Sequence, residues 1–452
     1  MPDHPVASAP LPLSASAMTE VALRAIEIAK RRGAGDAEVE VSAAVGQSVT
    51  VRHDEVETVE YNRDKGLEIT VYFGQRRGNA STSDLGLDAL ERTVEAACAI
   101  ARHTAEDEAA GLPDAARLFR GPIAALDLYH PWGLTVEEAI EIARRAESAA
   151  LGVDRRITNS EGATVAAFDT DFVLANSRGF CTGFPSSKAS VSVSVVAEDA
   201  NGMQRDYWYS SHRDFARLED PAEVGREAGR RSVRRLGGRK LPTADAPVVF
   251  DANIAGGLIG HFVAAASGSS LYRRSSFLLD RLGTRVFAPG VEIREDPHQP
   301  GEMASSRFDA EGVATAPRVV VEDGVLKGWF LSSYSARKLG LETTGNAGGN
   351  HNLVVVPGEL DRDAILRRMG RGLLVTELMG QGVNSVTGDY SRGAAGFWVE
   401  GGEIQFPVEE VTIAGNLIDM FQGIRAIGRD VLVRGSKHSG SILIDRLTIA
   451  GD

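Results

Sequence analysis

Histidine is the commonest metal ligand among amino-acid side chains, and the chain contains nine histidines. They are His4, His53, His103, His130, His212, His261, His298, His351 and His438. A helical zinc protease takes two of its ligands from histidines that lie one turn apart. No two histidines here are that close in sequence, so a zinc site would need ligands converging from distant segments. We interpret most of them as structural or exposed side chains.

Common nucleotide-binding and serine-hydrolase motifs do not match either. The sequence has no Gly-Lys dipeptide, which excludes a Walker A loop, and residues 380–385 lack the third glycine of a dinucleotide fingerprint. Residues 388–393 place one residue too many before the serine for a nucleophile elbow. A hydrolase that uses side chains of this segment on its own has no base at a recognisable spacing.

Two glycine-rich segments, residues 345–352 and 380–396, combine glycine with asparagine, serine and aromatic residues in the last third of the chain. Glycine allows close backbone approach, and the polar side chains offer hydrogen bonds. The segments are either two structural hairpin loops or parts of a groove in which an extended peptide pairs with backbone groups. For the groove, the candidate substrate-binding residues are Asn346, Asn350, His351, Gln381, Asn384, Asp389, Tyr390, Ser391 and Arg392.

Hydrophobic spacing predicts the elements that position these loops. Residues 18–32 and 87–103 have apolar positions at helical intervals, and residues 37–74 between them contain short β-rich runs with expected turns at Gly46 and residues 64–66. The order of helix, strands and helix then repeats from residue 135 to residue 236. There, Thr135 and Glu138 have the spacing of a capping box.

The rest of the chain is predicted to be mainly β, with one helix at residues 253–267 and hairpin turns at residues 322–324 and 400–402. The fold class is therefore α+β, with helices concentrated in the first half. We expect a disordered extension at residues 1–17, an N-terminal α+β domain at 18–112, a middle α+β domain at 125–237 and a mainly β C-terminal domain at 245–452.

Composition limits the partners. The net charge is −13, and the densest basic segment, residues 226–240, has no interleaved aromatic residues, so we expect no direct binding to nucleic acid. Cys98 and Cys181 lie in unrelated segments and are interpreted as small buried residues rather than a disulfide or a metal cluster. No convincing signal peptide or membrane-spanning run is found, and we expect a cytoplasmic protein.

Four segments of the second half closely resemble the TldD/PmbA family, and specifically its PmbA branch, also called TldE. They are residues 331–341 (LSSYSARKLGL), 375–382 (VTELMGQG), 387–400 (TGDYSRGAAGFWVE) and 413–417 (IAGNL). The resemblance extends over nearly the whole chain from about residue 18. It implies a subunit of a two-component metalloprotease.

In this family the TldD subunit resembles a zinc protease with an HExxxH helix and a further cysteine ligand near its C-terminus. The matching segment here is residues 257–268 (GLIGHFVAAASG), in which Phe262 stands at the position of the glutamate and Ala266 at that of the second histidine. His261 remains as a remnant of the first ligand position, and residues 435–440 contain no cysteine. We therefore expect no catalytic or metal-binding residue in this chain, and interpret His261 as a packed or hydrogen-bonded helix residue.

The resemblance implies that a TldD-type partner supplies zinc and chemistry, and that this chain helps to enclose a chamber and hold an extended peptide. The implied substrates are unfolded peptides such as modified-peptide precursors or labile antitoxins, and the chain alone could form a homodimer. The alternative is a peptide-binding, chaperone-like protein that acts without proteolysis, as a modulator of DNA gyrase would.

Overall fold

The protein is described by a computed structural model that covers residues 11–122 and 126–451. Most of the expected disordered extension, residues 1–10, lies outside the described residues. The same holds for residues 123–125, where we expect the middle domain to begin, and for the last residue. The fold is α+β with a β-rich second half, which confirms the predicted fold class.

The first half of the chain forms one antiparallel sheet. Its strands are β1 (Asp36–Arg52), β2 (Glu55–Phe73), β3 (Arg76–Thr82), β4 (Ile157–Asn176), β5 (Cys181–Thr182), β6 (Ser186–Asp199) and β7 (Gly202–His212). Their order is β3-β2-β1-β4-β6-β7, with β5 paired to β4. The two helix-and-strand units that the sequence separates therefore share one continuous sheet, because β1 of the first unit pairs with β4 of the second.

Helices cover one face of this sheet. They are α1 (Ala15–Arg31), α2 (Leu87–His103), α3 (Val136–Leu151) and α4 (Pro221–Arg234), with a short 3-10 helix at Phe215–Arg217. Val39 and Val49 of β1 contact different helix pairs on this face, since alternate residues of a strand point to the same side. Thr135 and Glu138 form the predicted capping box at the start of α3. The helix α1 begins at Ala15, so residues 15–17 of the expected extension are helical.

The turns predicted at Gly46 and at residues 64–66 are wrong, because β1 and β2 run through both. A Cβ atom on Gly46 would lie 2.2 Å from Cδ1 of Phe168 on the neighbouring strand β4. Glycine at this position therefore makes room for an aromatic ring from the next strand instead of ending the strand. Gly66 pairs with Ser42 inside the ladder.

The second half contains two further sheets. Their strands are β8 (Ala244–Phe250), β9 (Ile293–Glu295), β10 (Arg318–Glu322), β11 (Val325–Leu326), β12 (Leu353–Val355), β13 (Gly372–Met379), β14 (Asp389–Glu400), β15 (Glu403–Asn416), β16 (Ile424–Ile427), β17 (Lys437–His438) and β18 (Ile442–Ala450). One sheet has the order β15-β14-β13-β8-β18-β16 and closes on itself through an extra β15–β18 pairing. The other has the order β11-β10-β9-β12-β17.

Helices of the second half pack beside these sheets. They are α5 (Ala252–Ala265), α6 (Gly268–Tyr272), α7 (Ser333–Leu339), α8 (Arg362–Met369) and α9 (Leu417–Gln422). Only α5 is predicted from the sequence, because the other helices have one or two turns and too few positions to show a periodic pattern. Each of those four does begin at a side-chain N-cap, namely Ser267, Ser332, Asp361 and Asn416.

The central helix α5 is anchored in the main apolar core of the second half. Phe262 is fully buried, and its ring centroid lies 5.0 Å from that of Phe287 and 6.3 Å from that of Phe421. The side chain of Asp251 caps the helix by accepting a hydrogen bond from the backbone N–H of Asn253. Burial of Phe262 fixes the rotation of α5, and with it the direction in which the adjacent His261 points.

Candidate functional site

His261 points from α5 towards the start of β14. Its ring centroid lies 5.8 Å from that of Tyr390, and the planes meet at 77°, an edge-to-face contact. Phe262 and Ala266, which stand at the glutamate and second-histidine positions of the motif, are fully buried in the apolar core. His261 therefore packs against an aromatic ring, and neither Phe262 nor Ala266 offers a ligand atom beside it.

Tyr390 and Arg392 lie two residues apart on β14 and so project from the same face of the strand. Tyr390 is 2% exposed, and Arg392 is half-buried. Three polar atoms in this cluster are buried and have no hydrogen-bond partner in the described part of the chain: Nε2 of His261, Oη of Tyr390 and Nε of Arg392. Buried polar atoms without partners are rare in folded proteins, and such a group invites a specific explanation.

Electrostatic interactions within this cluster come from Arg392. Burial lowers the pKa of His261, and the Arg392 guanidinium lowers it further, which favours the neutral imidazole. Burial raises the pKa of Tyr390 to about 12, against the opposing effect of Arg392. Arg392 lies near enough to lower the pKa of the Tyr390 hydroxyl through its charge and as a possible hydrogen-bond donor. By strict hydrogen-bond geometry, however, that hydroxyl has no partner among the described residues.

The surface of α5 beside His261 consists of glycines. Gly257 lies one turn before His261 and is exposed. Apart from its chain neighbours and the backbone of its own helix, no atom of the described residues lies within 4 Å of the position that a Cβ would take. Near Gly260 the closest atom to that position is Cε of Lys437, at 3.8 Å. Burial lowers the pKa of Lys437, whose ammonium donates to the Ser436 hydroxyl at 3.3 Å. Sequence reasoning missed Lys437, because its proximity to α5 depends on how distant segments pack. It also did not single out Gly257, because the open space in front of that residue is a property of the packed structure.

The other predicted residues of the second glycine-rich segment, residues 380–396 and hereafter the second loop, form a local turn. The backbone N–H of Asn384 donates to the carbonyl of Asp389 at 2.8 Å, and the Asp389 carboxylate accepts from the Thr387 hydroxyl at 2.6 Å. Gln381 and Ser391 are exposed. Ser391 lies on the opposite face of β14 from Tyr390, so it does not face the imidazole of His261.

Predicted residues of the first glycine-rich segment, residues 345–352 and hereafter the first loop, surround a buried carboxylate, Glu295 of β9. Glu295 accepts hydrogen bonds from Nε of Arg318 at 2.7 Å, from Nδ2 of Asn346 at 2.8 Å and from the backbone N–H of His351 at 2.7 Å. Oδ1 of Asn346 accepts in turn from Arg318 at 3.1 Å. The side chain of Asn350 donates to the carbonyl of Ser436 at 3.1 Å. The structure thus divides the predicted residues into two groups, with residues 435–438 running between the first loop and α5.

A cleft of about 580 Å³ opens beside the first loop, between that loop and the face of the first sheet that carries no helices. Asn350 and His351 line it, together with Phe172 of β4 and Phe308. Asp309, which also lines the cleft, holds the loop by accepting from the backbone N–H of Ala347 at 3.0 Å. Burial, and then Glu311, raise the pKa of Asp309 to about 7.

Zinc does not fit the side chains around His261. Within residues 11–122 and 126–451, no group of three or more histidine, cysteine, aspartate or glutamate side chains could hold a metal ion. His438 lies in residues 435–440, the segment compared above with the cysteine-ligand region. Its Nε2 lies 3.1 Å from the carbonyl oxygen of Gly435. A single imidazole beside a tyrosine and a guanidinium lacks the donor set of a tetrahedral zinc site.

Basic side chains of residues 226–240 are engaged within the protein. Arg231 pairs with Asp206 at 3.2 Å, and the Arg234 guanidinium lies 4.8 Å from the ring centroid of Phe397. Both cysteines are free thiols; Cys98 is buried and Cys181 is half-buried. In the described ranges, each helix is too short or too polar to cross a lipid bilayer.

Family comparisons identify the class to which this fold and site belong. Three family models match the chain: PmbA/TldA metallopeptidase domain 1 at residues 37–101, the central domain at residues 129–236 and the C-terminal domain at residues 243–451. These matches span most of the chain, which therefore belongs to the PmbA/TldD family of metallopeptidases.

Individual relatives agree with the PmbA branch. The chain is 48% identical to the metalloprotease PmbA of Escherichia coli O157:H7, over 96% of both chains. The crystal structure of a proposed modulator of DNA gyrase from Bacteroides thetaiotaomicron superposes with a TM-score of 0.91 at 28% identity, covering 96% of this chain and 98% of that one. TldE from Thermococcus kodakarensis shares the fold, with a TM-score of 0.83 at 20% identity, covering 95% and 100% of the two chains.

Proposed function

We propose that this chain is the peptide-binding subunit of a heteromeric zinc metalloprotease, and that a TldD-type partner holds the metal and hydrolyses the peptide. The surroundings of His261 carry the proposal. On α5, Phe262 and Ala266 are directed into the core, so His261 has neither a second ligand nor a general base to activate a metal-bound water. Family membership supplies the reaction class, peptide hydrolysis, for the pair of subunits.

The role of this chain is to hold an unfolded or extended peptide, such as a precursor peptide or a labile antitoxin, next to the partner's active site. Strand edges and glycine-rich loops suit backbone pairing with an extended ligand. Of the predicted contacts, Tyr390 and Arg392 have free hydrogen-bonding capacity, Gln381 and Ser391 are exposed, and Asn350 and His351 line the cleft. Asn346, Asn384 and Asp389 shape the two loops that present these side chains. We propose a cytoplasmic location for the complex, on the basis of the sequence alone.

Reconstitution tests this function. The chain and a TldD-type protein from the same genome are purified separately, mixed, and assayed for cleavage of an unfolded peptide and for zinc content by elemental analysis. We expect cleavage from the mixture, zinc with the partner, and neither stoichiometric zinc nor cleavage with this chain alone. One tightly bound zinc per chain that is lost in His261→Ala would overturn the proposal.

Two further outcomes have distinct meanings. A mixture that assembles but cleaves no better than the partner alone would contradict a role in proteolysis. If the chain alone still bound extended peptides in that case, the non-proteolytic, chaperone-like function would replace the proposed one.

A further inference from the structure

His261, Tyr390 and Arg392 form a polar cluster that is complete except for an acceptor. Nε of Arg392 is a donor only, the Tyr390 hydroxyl has an O–H to donate, and the neutral imidazole of His261 can donate from Nε2 in one tautomer. Within the described residues, all three atoms are buried without a hydrogen-bond partner. A buried donor without an acceptor destabilises the fold, so three of them together favour a ligand that accepts from them.

Charge decides what kind of ligand fits. Arg392 carries the positive charge of the cluster, and no carboxylate lies within ion-pair distance of it in the described ranges. Two other partly buried arginines do have acidic partners: Arg318 pairs with Glu295 at 2.7 Å, and Arg231 pairs with Asp206 at 3.2 Å. A cation would be repelled here, whereas an anion with planar, paired oxygens matches the guanidinium fork.

Access is provided by the glycine surface of α5. The open space in front of Gly257, one helical turn from His261, leaves room for a ligand's main chain where any larger residue would place a side chain. Lys437 adds a second cation above Gly260 on this surface, also without an acidic partner in the described part of the chain. The surface of α5 next to His261 thus has open space at Gly257 and a basic side chain at Gly260.

We infer that His261, Tyr390 and Arg392 form a carboxylate-binding pocket, which takes a carboxylate group of an extended peptide at the place where the catalytic partner would hold zinc. This inference rests on the proposed function for the identity of the ligand as a peptide. A terminal carboxylate and an acidic side chain present the same chemistry to the pocket. A carboxylate bound beside α5 would fix one end of the peptide, while the peptide backbone pairs with the two loops.

Fluorescence anisotropy of the isolated chain tests the pocket. The probes are a short fluorescein-labelled peptide of glycine, alanine and serine with a free C-terminal carboxylate, the same peptide with a C-terminal amide, and the amide with one internal glutamate. We expect either carboxylate probe to bind at least about tenfold tighter than the plain amide, as a charge-assisted contact predicts. Preference for the first or the second carboxylate probe identifies a terminal or a side-chain group as the ligand.

Substitutions locate the effect. Arg392→Gln should remove the preference for carboxylate, whereas Arg368→Gln, which removes the same charge from an exposed position on α8, should keep it. Thermal melting of both variants shows whether they fold. Equal binding of all three probes by the folded wild-type chain, or a preference retained in folded Arg392→Gln, would overturn the inference.

Failure of this inference can be distinguished from failure of the proposed function. Anisotropy uses this chain alone, and cleavage by the reconstituted pair can be measured with the amide probe, which does not need the pocket. Cleavage without carboxylate preference would reject the pocket and keep the protease subunit. Carboxylate preference without cleavage would keep the pocket and reject the protease subunit.

Discussion

The two glycine-rich loops of the second half look alike in sequence but differ in how their polar atoms are used. In the first loop, Asn346 uses both ends of its amide: it donates to Glu295 and accepts from Arg318. In the second, Tyr390 and Arg392 keep buried polar atoms without partners. Glycine and asparagine content therefore indicates close packing in both loops, and only the hydrogen-bond inventory separates a structural loop from one with capacity left for a ligand.

A related contrast holds for residues 331–341, a segment that also carries the family resemblance. On α7, the Tyr334 hydroxyl donates to Asp107 at 2.7 Å, and the Arg337 guanidinium donates to the carbonyl of Ala109 at 3.0 Å. These bonds attach the linker after α2 to the second half of the chain. A motif that identifies the family can thus serve the architecture, while Tyr390 and Arg392, from another such motif, remain available.

The largest loss of stability is expected at Glu295, which accepts three hydrogen bonds at the first loop. Glu295→Ala should lower the free energy of unfolding by about 3–5 kcal/mol, because it leaves the buried ends of Arg318 and Asn346 without their acceptor. Urea denaturation measures the loss. Glu292→Ala, which removes a more exposed carboxylate paired with Arg294 next to the same strand, is the control and should cost less than about 1 kcal/mol. A small loss in Glu295→Ala with weaker peptide binding would instead make the first loop part of the substrate site.

The next largest effect is a dependence of stability on pH near the first loop. Burial, and then Glu311, raise the pKa of Glu38 on β1 from 4.5 to about 8. Between these values the unfolded chain loses the proton and the folded chain keeps it, so the free energy of unfolding falls as pH rises.

Urea denaturation from pH 5 to 8 tests this dependence. Glu38→Gln should flatten the fall by up to about 1.4 kcal/mol per pH unit. Glu60→Gln, at an exposed position on β2, serves as the control and should leave the slope as in the wild type. A slope in Glu38→Gln equal to that of the wild type would contradict the assignment of Glu38.

Sequence patterns predict much of the fold because long elements repeat their signals many times. The helix at residues 87–103 and the capping box at Thr135 lie where the pattern predicts them. The turn expected at Gly46 fails for a physical reason: a glycine that breaks a strand and a glycine that accommodates the ring of Phe168 are identical in sequence. Short helices such as α8 are missed because two turns give no period.

The candidate site is predictable only in part. The resemblance selects His261, and composition selects residues 380–396, but no pattern states that His261 and Tyr390 are in ring contact. Nor does any pattern show that Asn346 is satisfied by Glu295, since those two residues are brought together by the pairing of β9 with β12. Unsatisfied hydrogen-bonding capacity is a property of the packed structure, and it can be found only after the chain is folded.

A smaller effect should appear on the glycine surface of α5. Gly257→Ala should raise the free energy of unfolding by about 0.5–1 kcal/mol, because the position is helical and exposed and has open space for a methyl group. Gly257→Leu should fold equally well yet weaken binding of the carboxylate peptide by filling the approach to His261. Gly179→Ala serves as a contrast, because its φ of 89° strains any side chain despite the open space, and it should lose stability. Full binding by Gly257→Leu would show that the ligand does not pass over α5.

The smallest effect on stability is expected for Tyr390→Phe. This substitution also tests most directly whether the second loop differs from the first in its hydrogen bonding. The Tyr390 hydroxyl has no hydrogen-bond partner among the described residues. Its removal should therefore leave the free energy of unfolding unchanged or raise it by up to about 1 kcal/mol, while carboxylate binding weakens roughly threefold to tenfold. Tyr334→Phe is the matched control: it removes a hydroxyl that donates to Asp107, and it should cost about 1 kcal/mol with no change in carboxylate binding. Thermal denaturation and anisotropy on the same preparations separate the two. If Tyr390→Phe were destabilised as much as Tyr334→Phe and bound the peptide like the wild type, the Tyr390 hydroxyl would have a structural partner, and the second loop would be as fully satisfied as the first.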